Sequence, residues 1–170
     1  MSINFKFKKL VFILFILIPI NSYAQEIKSL GKYKDWESFR LKEGEVKTCF
    51  ARSIPVLKAP KGFKRNPSRL FVSFRPKDNV KNEVSVTAGY IFDSKSLVTA
   101  KSGKNKFDLF SQGDFAWAGD NEDEKKIIKL MKNASRIMII GKTVNGKKTT
   151  DHYSLMGFTK AYNTAKKSCS

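Results

Sequence analysis

Glu83-Val-Ser-Val-Thr-Ala-Gly-Tyr-Ile-Phe92 is the stretch on which the fold of this chain turns. Val84, Val86, Ala88 and Tyr90 fall on one side of an extended backbone, and Ser85, Thr87 and Gly89 on the other. That period of two predicts a half-buried antiparallel strand. Upstream, Asp35 to Leu41 and Val46 to Val56 are β-rich runs separated by Lys42-Glu43-Gly44-Glu45, which predicts a hairpin with a four-residue turn. Ala59 to Ser68 carries Pro60, Gly62 and Pro67 and reads as a surface loop. Leu70 to Phe74 follows as a strand, stopped at Arg75-Pro76 because proline has no N–H for a ladder.

Downstream, Leu97 to Ala100, Lys106 to Phe110 and Asp114 to Ala118 are three further short strands joined by turn residues. Asn121 is placed to cap a helix, with Glu124 at the capping-box position and Lys129 and Lys132 toward the far end. Ile127, Leu130, Met131 and Ala134 share one face of that helix, a core-packing stripe. Ile137 to Val144 and Lys147 to Leu155 flank Asn145-Gly146, the signature of a two-residue type I′ hairpin. Such a turn sets Ile139 opposite His152 and Met138 opposite Tyr153. A short helix from Thr159 to Lys167 ends beside Cys169. Many short strands with frequent turns predict a mainly β sandwich or barrel with one or two short helices.

The first 24 residues read as a cleavable secretory signal. Lys6, Lys8 and Lys9 form its positive start, Leu10 to Ile20 is apolar apart from Pro19, and Ser22-Tyr23-Ala24 offers a small-residue cleavage site. A membrane anchor fits poorly, since eleven residues at about 1.5 Å each cover about half of a ~30 Å hydrocarbon core. Lipid anchoring needs a cysteine just after the signal, and the first is Cys49. Residues 25–34 read as a flexible arm and 35–170 as one domain. The expected location is the periplasm or outer envelope, or the medium. Cys49 and Cys169 are the two cysteines, near opposite ends of the exported chain, and an oxidising compartment makes a bond between them the expectation. A redox-active dithiol would instead need a local Cys-x-x-Cys pair.

The leader holds three of the 33 basic residues and none of the 15 acidic ones, leaving 30 against 15 and a formal charge of +15. Such a field favours anionic partners. Lys outnumbers Arg 27 to 6 and the lysines are scattered, a pattern unlike the Arg forks of phosphate recognition. Export and the lack of any nucleic-acid motif argue against DNA or RNA. Basic residues concentrate at predicted loops, so Lys61, Lys64, Arg65, Lys104, Lys106, Lys142, Lys147 and Lys148 form a candidate anion-binding rim for lipopolysaccharide, anionic lipid or acidic polysaccharide, if those loops share one end of the sandwich.

No catalytic, metal or cofactor constellation emerges, so the expectation is a protein that is not an enzyme. His152 is the only histidine and has no second imidazole or thiol to work with. Alternation sends it to the opposite face from Asp151, which removes a triad reading. Asp120, Glu122, Asp123 and Glu124 lack the spacing of a calcium loop and suit a helix start. Trp36 and Trp117 could stack on sugars or bases, but read more simply as core aromatics.

Taken in order, Lys47-Thr-Cys49-Phe-Ala51, Phe71-Val-Ser-Phe-Arg-Pro76, Asn82-Glu-Val-Ser-Val86, Ala88-Gly-Tyr90, Phe107-Asp-Leu-Phe110, Gly113-Asp-Phe-Ala-Trp-Ala118, Thr150-Asp-His-Tyr-Ser-Leu155 and Gly157-Phe-Thr159 resemble the invasion-associated locus B family of bacterial envelope proteins. The resemblance spans about Trp36 to Cys169 and rests on order and spacing, not on one motif. It implies an immunoglobulin-like antiparallel β-sandwich, an envelope location and, in some pathogenic bacteria, a part in host-cell invasion, without a defined molecular activity; the alternative to the anion-binding rim is contact with an envelope or host-cell protein through an open sheet edge or the N-terminal arm. The resemblance also implies cysteines at the positions of Cys49 and Cys169, and no second bridge, because Ser38-Phe39-Arg40 lacks the additional cysteine some members carry.

Overall fold

Pairing in the computed structural model, which describes residues 26–170, is antiparallel at every step, and the expected leader at 1–24 lies outside the described residues. The strands are β1 (Glu26–Tyr33), β2 (Trp36–Glu43), β3 (Val46–Ser53), β4 (Leu57–Ala59), β5 (Arg69–Arg75), β6 (Val80–Thr87), β7 (Val98–Ser102), β8 (Asn105–Gln112), β9 (Phe115–Ala118), β10 (Arg136–Lys142) and β11 (Lys148–Ser154). Helix α1 (Asn121–Asn133) lies between β9 and β10, and α2 (Phe158–Ser168) follows β11. The strands hydrogen-bond in the order β1-β2-β3-β5-β6-β9-β8-β7-β10-β11-β4.

That order forces the sheet to roll up. β3 and β4 are separated in the chain by residues 54–56 alone, yet they stand third and eleventh in the sheet. Laid flat, eight strand spacings span about 38 Å, whereas the four peptide steps from Ser53 to Leu57 reach about 14 Å at most. The two halves therefore fold face to face in a mainly β, sandwich-like fold. Trp36 Nε1 donates across the closure to the Ser154 carbonyl at 2.9 Å, and Val56 N to His152 O at 2.8 Å. One core collects the inward residues of both halves, among them Trp36, Val72 and Val86 from one and Leu109, Ile137 and Tyr153 from the other. Helix α2 closes the bottom of it, with Phe158 set edge-on against Trp36 at 4.8 Å between ring centroids.

Residues 25–34 are not an arm from Glu26 onward: β1 pairs with β2 from Glu26↔Lys42 to Tyr33↔Trp36. It is an edge strand with most side chains in solvent, so no alternation marks it in the sequence. Two other features hold it. Lys34 takes a left-handed turn (φ 54°) into β2, and Gly157, at φ 91°, lets the chain entering α2 press on the Tyr33 carbonyl, where a Cβ would stand 1.8 Å from the oxygen.

Two expected turns and one helix cap differ in detail. Glu43 pairs with Val46, so the first hairpin turns on Gly44 and Glu45 alone. The β10–β11 hairpin pairs Met138 with His152 and Ile139 with Asp151, one residue away from the expected register. A type I′ turn needs positive φ at both central residues, and here Gly146 (φ 81°) is left-handed but Asn145 is not. Thr143 N bonds Lys147 O at 2.9 Å around the three-residue loop Val144-Asn145-Gly146. The cap of α1 is Asp120, not Asn121: its Oδ1 accepts from Glu122 N and Asp123 N, both at 2.8 Å. Cys49 and Cys169 are bonded, Cα atoms 5.8 Å apart, tying β3 to the end of α2. No helix among the described residues is long and apolar enough to cross a membrane.

Candidate functional site: an aromatic groove and a basic loop end

The strands that feed the core also expose a second face. On β5, Leu70, Val72 and Phe74 point inward, so Phe71, Ser73 and Arg75 point outward, and the same alternation turns Phe50 of β3 and Phe115 and Trp117 of β9 to the outside. Register then aligns them. Phe50 lies opposite Ser73, Phe71 opposite Ser85, Ser85 opposite Trp117, and Trp117 opposite Phe110 of β8.

The result is a groove of about 660 Å³ on the solvent side of the sheet. Phe50 stands on one side, Trp117 and Phe110 on the other, and Ser73 and Ser85 form the floor between them. Phe110 and Trp117 are stacked at 5.7 Å, as are Phe115 and Trp117, and Phe71 meets Phe115 at 6.4 Å across one end. Ser85 is 4% exposed because Phe71 and Trp117 flank it in register, so at the groove floor β6 is more deeply buried than its alternation predicts. Trp36 is a core aromatic as expected, but Trp117 is not: the small residues of Phe115-Ala-Trp-Ala118 face the core and the large ones face out.

Arg75 and Glu83 close the other end. Arg75 donates to both oxygens of Glu83 at 2.8 and 2.6 Å, and its Nε lies 3.3 Å from Asp78. The Glu83 hydrogen bond, reinforced by the two nearby carboxylates, raises the guanidinium above its ordinary pKa against the opposing pull of burial. The groove's cation is thus already neutralised.

The candidate basic rim divides. The loop at residues 60–68 and the β10–β11 hairpin do meet: Lys147 Nζ lies 4.7 Å from the centre of the Phe63 ring, and Asn66 N bonds Gly89 O at 3.1 Å. Lys61, Lys64, Lys147 and Lys148 are exposed at this end, while Lys142 pairs with Asp93 at 3.4 Å. Lys104 and Lys106 do not join them. They follow β7, whose Ser102 Oγ bonds the Arg136 carbonyl at 2.7 Å, at the end of β10 remote from Lys142. Lys106 is engaged with Asp108 at 3.3 Å.

Arg65 is not a rim residue at all. Its side chain is 3% exposed and forks onto Asp151, 1% exposed, with Nη1 2.8 Å from Oδ2, and it also donates to Ser68 Oγ and Ala88 O. The length of the loop brings this one basic residue inward, where a buried carboxylate waits. Burial opposes the charge, but Asp151 outweighs it and the guanidinium titrates above its usual value. His152 sits between buried Asp151 and Tyr153 on the opposite face of β11, across from Leu57.

No family model matches the chain, and no curated protein matches it in sequence. Among solved structures, the crystal structure of invasion-associated protein B from Bartonella henselae is similar, with a TM-score of 0.54 at 14% identity over 82% of this chain and 94% of that one. At that identity the likeness is one of fold, and the chain shares the architecture of the Bartonella protein across nearly all of the latter's length.

Proposed function

We propose that this chain is an exported, non-enzymatic binding protein of the invasion-associated locus B type, acting in the periplasm or at the outer envelope by contact with a partner on an envelope or host-cell surface. The observation that carries the reading is the groove walled by Phe50, Trp117 and Phe110. Phe110 is 49% exposed and Phe50, Phe71, Phe115 and Trp117 are half-buried, a contiguous aromatic patch of the kind that marks an interaction surface. The bond between Cys49 and Cys169 supports export, because such links persist in oxidising compartments. The fold shared with the Bartonella protein supports the type.

The test is retention of labelled protein, beginning at Gln25, on intact bacterial and animal cells. The parent is expected to be retained on one of them, and Phe71→Ala/Trp117→Ala, verified as folded, is expected to be lost. Equal retention of parent and variant refutes the reading.

A second reading is an anion-binding module, favoured by Lys61, Lys64, Lys147 and Lys148 converging on one loop end beside Phe63. It predicts binding to lipopolysaccharide or anionic vesicles that falls steeply between low and physiological salt. Lys64→Ala/Lys147→Ala/Lys148→Ala should abolish it. Binding that ignores salt ends this reading.

A further inference from the structure

We propose that the groove over β5 and β6 takes a short stretch of neutral glycan, an inference that rests on the reading of this face as the binding surface. Its geometry supplies what a pyranose ring asks for. Phe71 on β5 and Trp117 on β9 flank Ser85 in register, two strand spacings or about 10 Å apart between backbones, and Phe50 stands edge-on to Phe71 at 6.0 Å, so the rings border a shallow groove that opens over Ser73 toward Glu83. Phe50 and Trp117 offer aromatic surface for the C–H faces of a sugar. Ser73 and Ser85 line the floor with hydroxyls, and Gln112 and Glu83 add amide and carboxylate groups at the rim, so the hydroxyl edge of a sugar meets donors and acceptors.

The charges select against the other occupants. Arg75 already serves Glu83 and Asp78, so an anionic glycan, a nucleic acid or a lipid phosphate finds no free cation in the groove and two carboxylates beside it. An acyl chain would bury the hydroxyl floor and the Arg75–Glu83 pair without partners, a costly desolvation. An added peptide strand needs a sheet edge, and β3, β5, β6 and β9 are paired on both sides. A second copy brings the same concave patch and a formal charge of +18 for the full chain, and a two-fold contact requires the patch to complement itself.

The probes are cellohexaose, maltohexaose and N-acetylchitohexaose, titrated calorimetrically into the disulfide-bonded protein. Tryptophan emission gives the location, because Trp36 is wholly buried and Trp117 stands in the groove. At least one sugar is expected to bind saturably and shift the emission, and to bind Trp117→Ala and Phe71→Ala at least about tenfold more weakly, as expected for aromatic anchors. Both positions face solvent, so unchanged thermal midpoints distinguish a lost site from a lost fold. No binding of any of the three up to about 5 mM, or binding that both variants retain, overturns the proposal. So does concentration-dependent dimerisation that the variants abolish. Loss of cell retention in Phe71→Ala/Trp117→Ala without sugar binding would overturn the glycan and leave the surface reading standing; retention that survives would overturn both.

Discussion

Breaking the Arg65–Asp151 pair should be among the most damaging single changes in the chain. The two side chains are 3% and 1% exposed, and they join a loop to the centre of β11. Arg65→Met leaves a buried carboxylate without its partner, and Asp151→Leu strands a buried guanidinium. Uncompensated charges of this kind cost about 3–5 kcal/mol. For a domain of this size that corresponds to a fall in Tm of roughly 10–15 °C. The double variant Arg65→Met/Asp151→Leu removes both charges together. Ser68 Oγ still donates to the Ala88 carbonyl at 3.1 Å, so that oxygen is not orphaned. Replacing a buried pair with apolar groups is often neutral or better, and the double variant should recover to within about 2 kcal/mol of the parent. Urea denaturation of all four proteins closes the cycle, with equal slopes as the check on two-state behaviour. Single losses below about 1 kcal/mol, the scale of an exposed pair, would refute the burial of this pair. Losses that simply add would refute its coupling.

Three further perturbations test the frame around the groove. Reducing the Cys49–Cys169 bond opens a loop with a sequence separation of 120 and should lower stability by about 4–5 kcal/mol in the chain-entropy account; denaturation of Cys49→Ser/Cys169→Ser reads it directly, and a loss under about 1 kcal/mol would contradict it. Gly157→Ala must place a Cβ against Tyr33 O at a positive φ, so a cost of at least about 2 kcal/mol and faster amide exchange along β1 are expected. Tyr153 buries a hydroxyl that has no hydrogen-bond partner among the described residues, and burial pushes its pKa well above 10. Because the folded value is the raised one, the stability held through this proton is complete below the unfolded pKa of about 10, and it declines by about 1.4 kcal/mol per pH unit as pH rises from there toward the folded value. Tyr153→Phe should therefore gain about 1 kcal/mol at pH 7 and lose stability less steeply above pH 10; an identical alkaline slope would refute it.

Most strands were legible because one face of each had to be apolar. Leu70, Val72 and Phe74 mark β5, and Val84 and Val86 mark β6, whatever the rest of the chain does. Two things escaped this logic. β1 is an edge strand with little buried, held by pairing and by the approach of Gly157 to Tyr33, neither of which leaves a periodic trace. The β10–β11 register turned on whether Asn145 takes a positive φ, and a one-residue change in loop length shifts every cross-strand partner. Asp151 and Arg65, 86 residues apart, could not be matched from composition either, since only the folded loop brings them together.

The groove was hidden for a different reason. Alternation assigns two faces to a strand but does not say which one is buried, and size is a misleading guide where two halves of a sheet fold closely together. In Phe115-Ala-Trp-Ala118 the rings suggest the core side, yet Ala116 and Ala118 occupy it, packed at 0% and 6% exposure. Next to them β6 presents Val84 and Val86 inward and Ser85 outward, so the strand between the aromatic walls carries its small side chain on the solvent side. Large side chains inward on β5 and β6 with small ones on β9 fill the interior, while outside the rings of Phe50, Phe71 and Trp117 stand around Ser73 and Ser85 and leave a channel over these two small side chains. The close packing that keeps the β9 side of the core small is therefore the same arrangement that leaves Trp117 available to a ligand. Filling the channel with a larger residue at Ser85 should consequently remove binding without disturbing the core that Val84 and Val86 define.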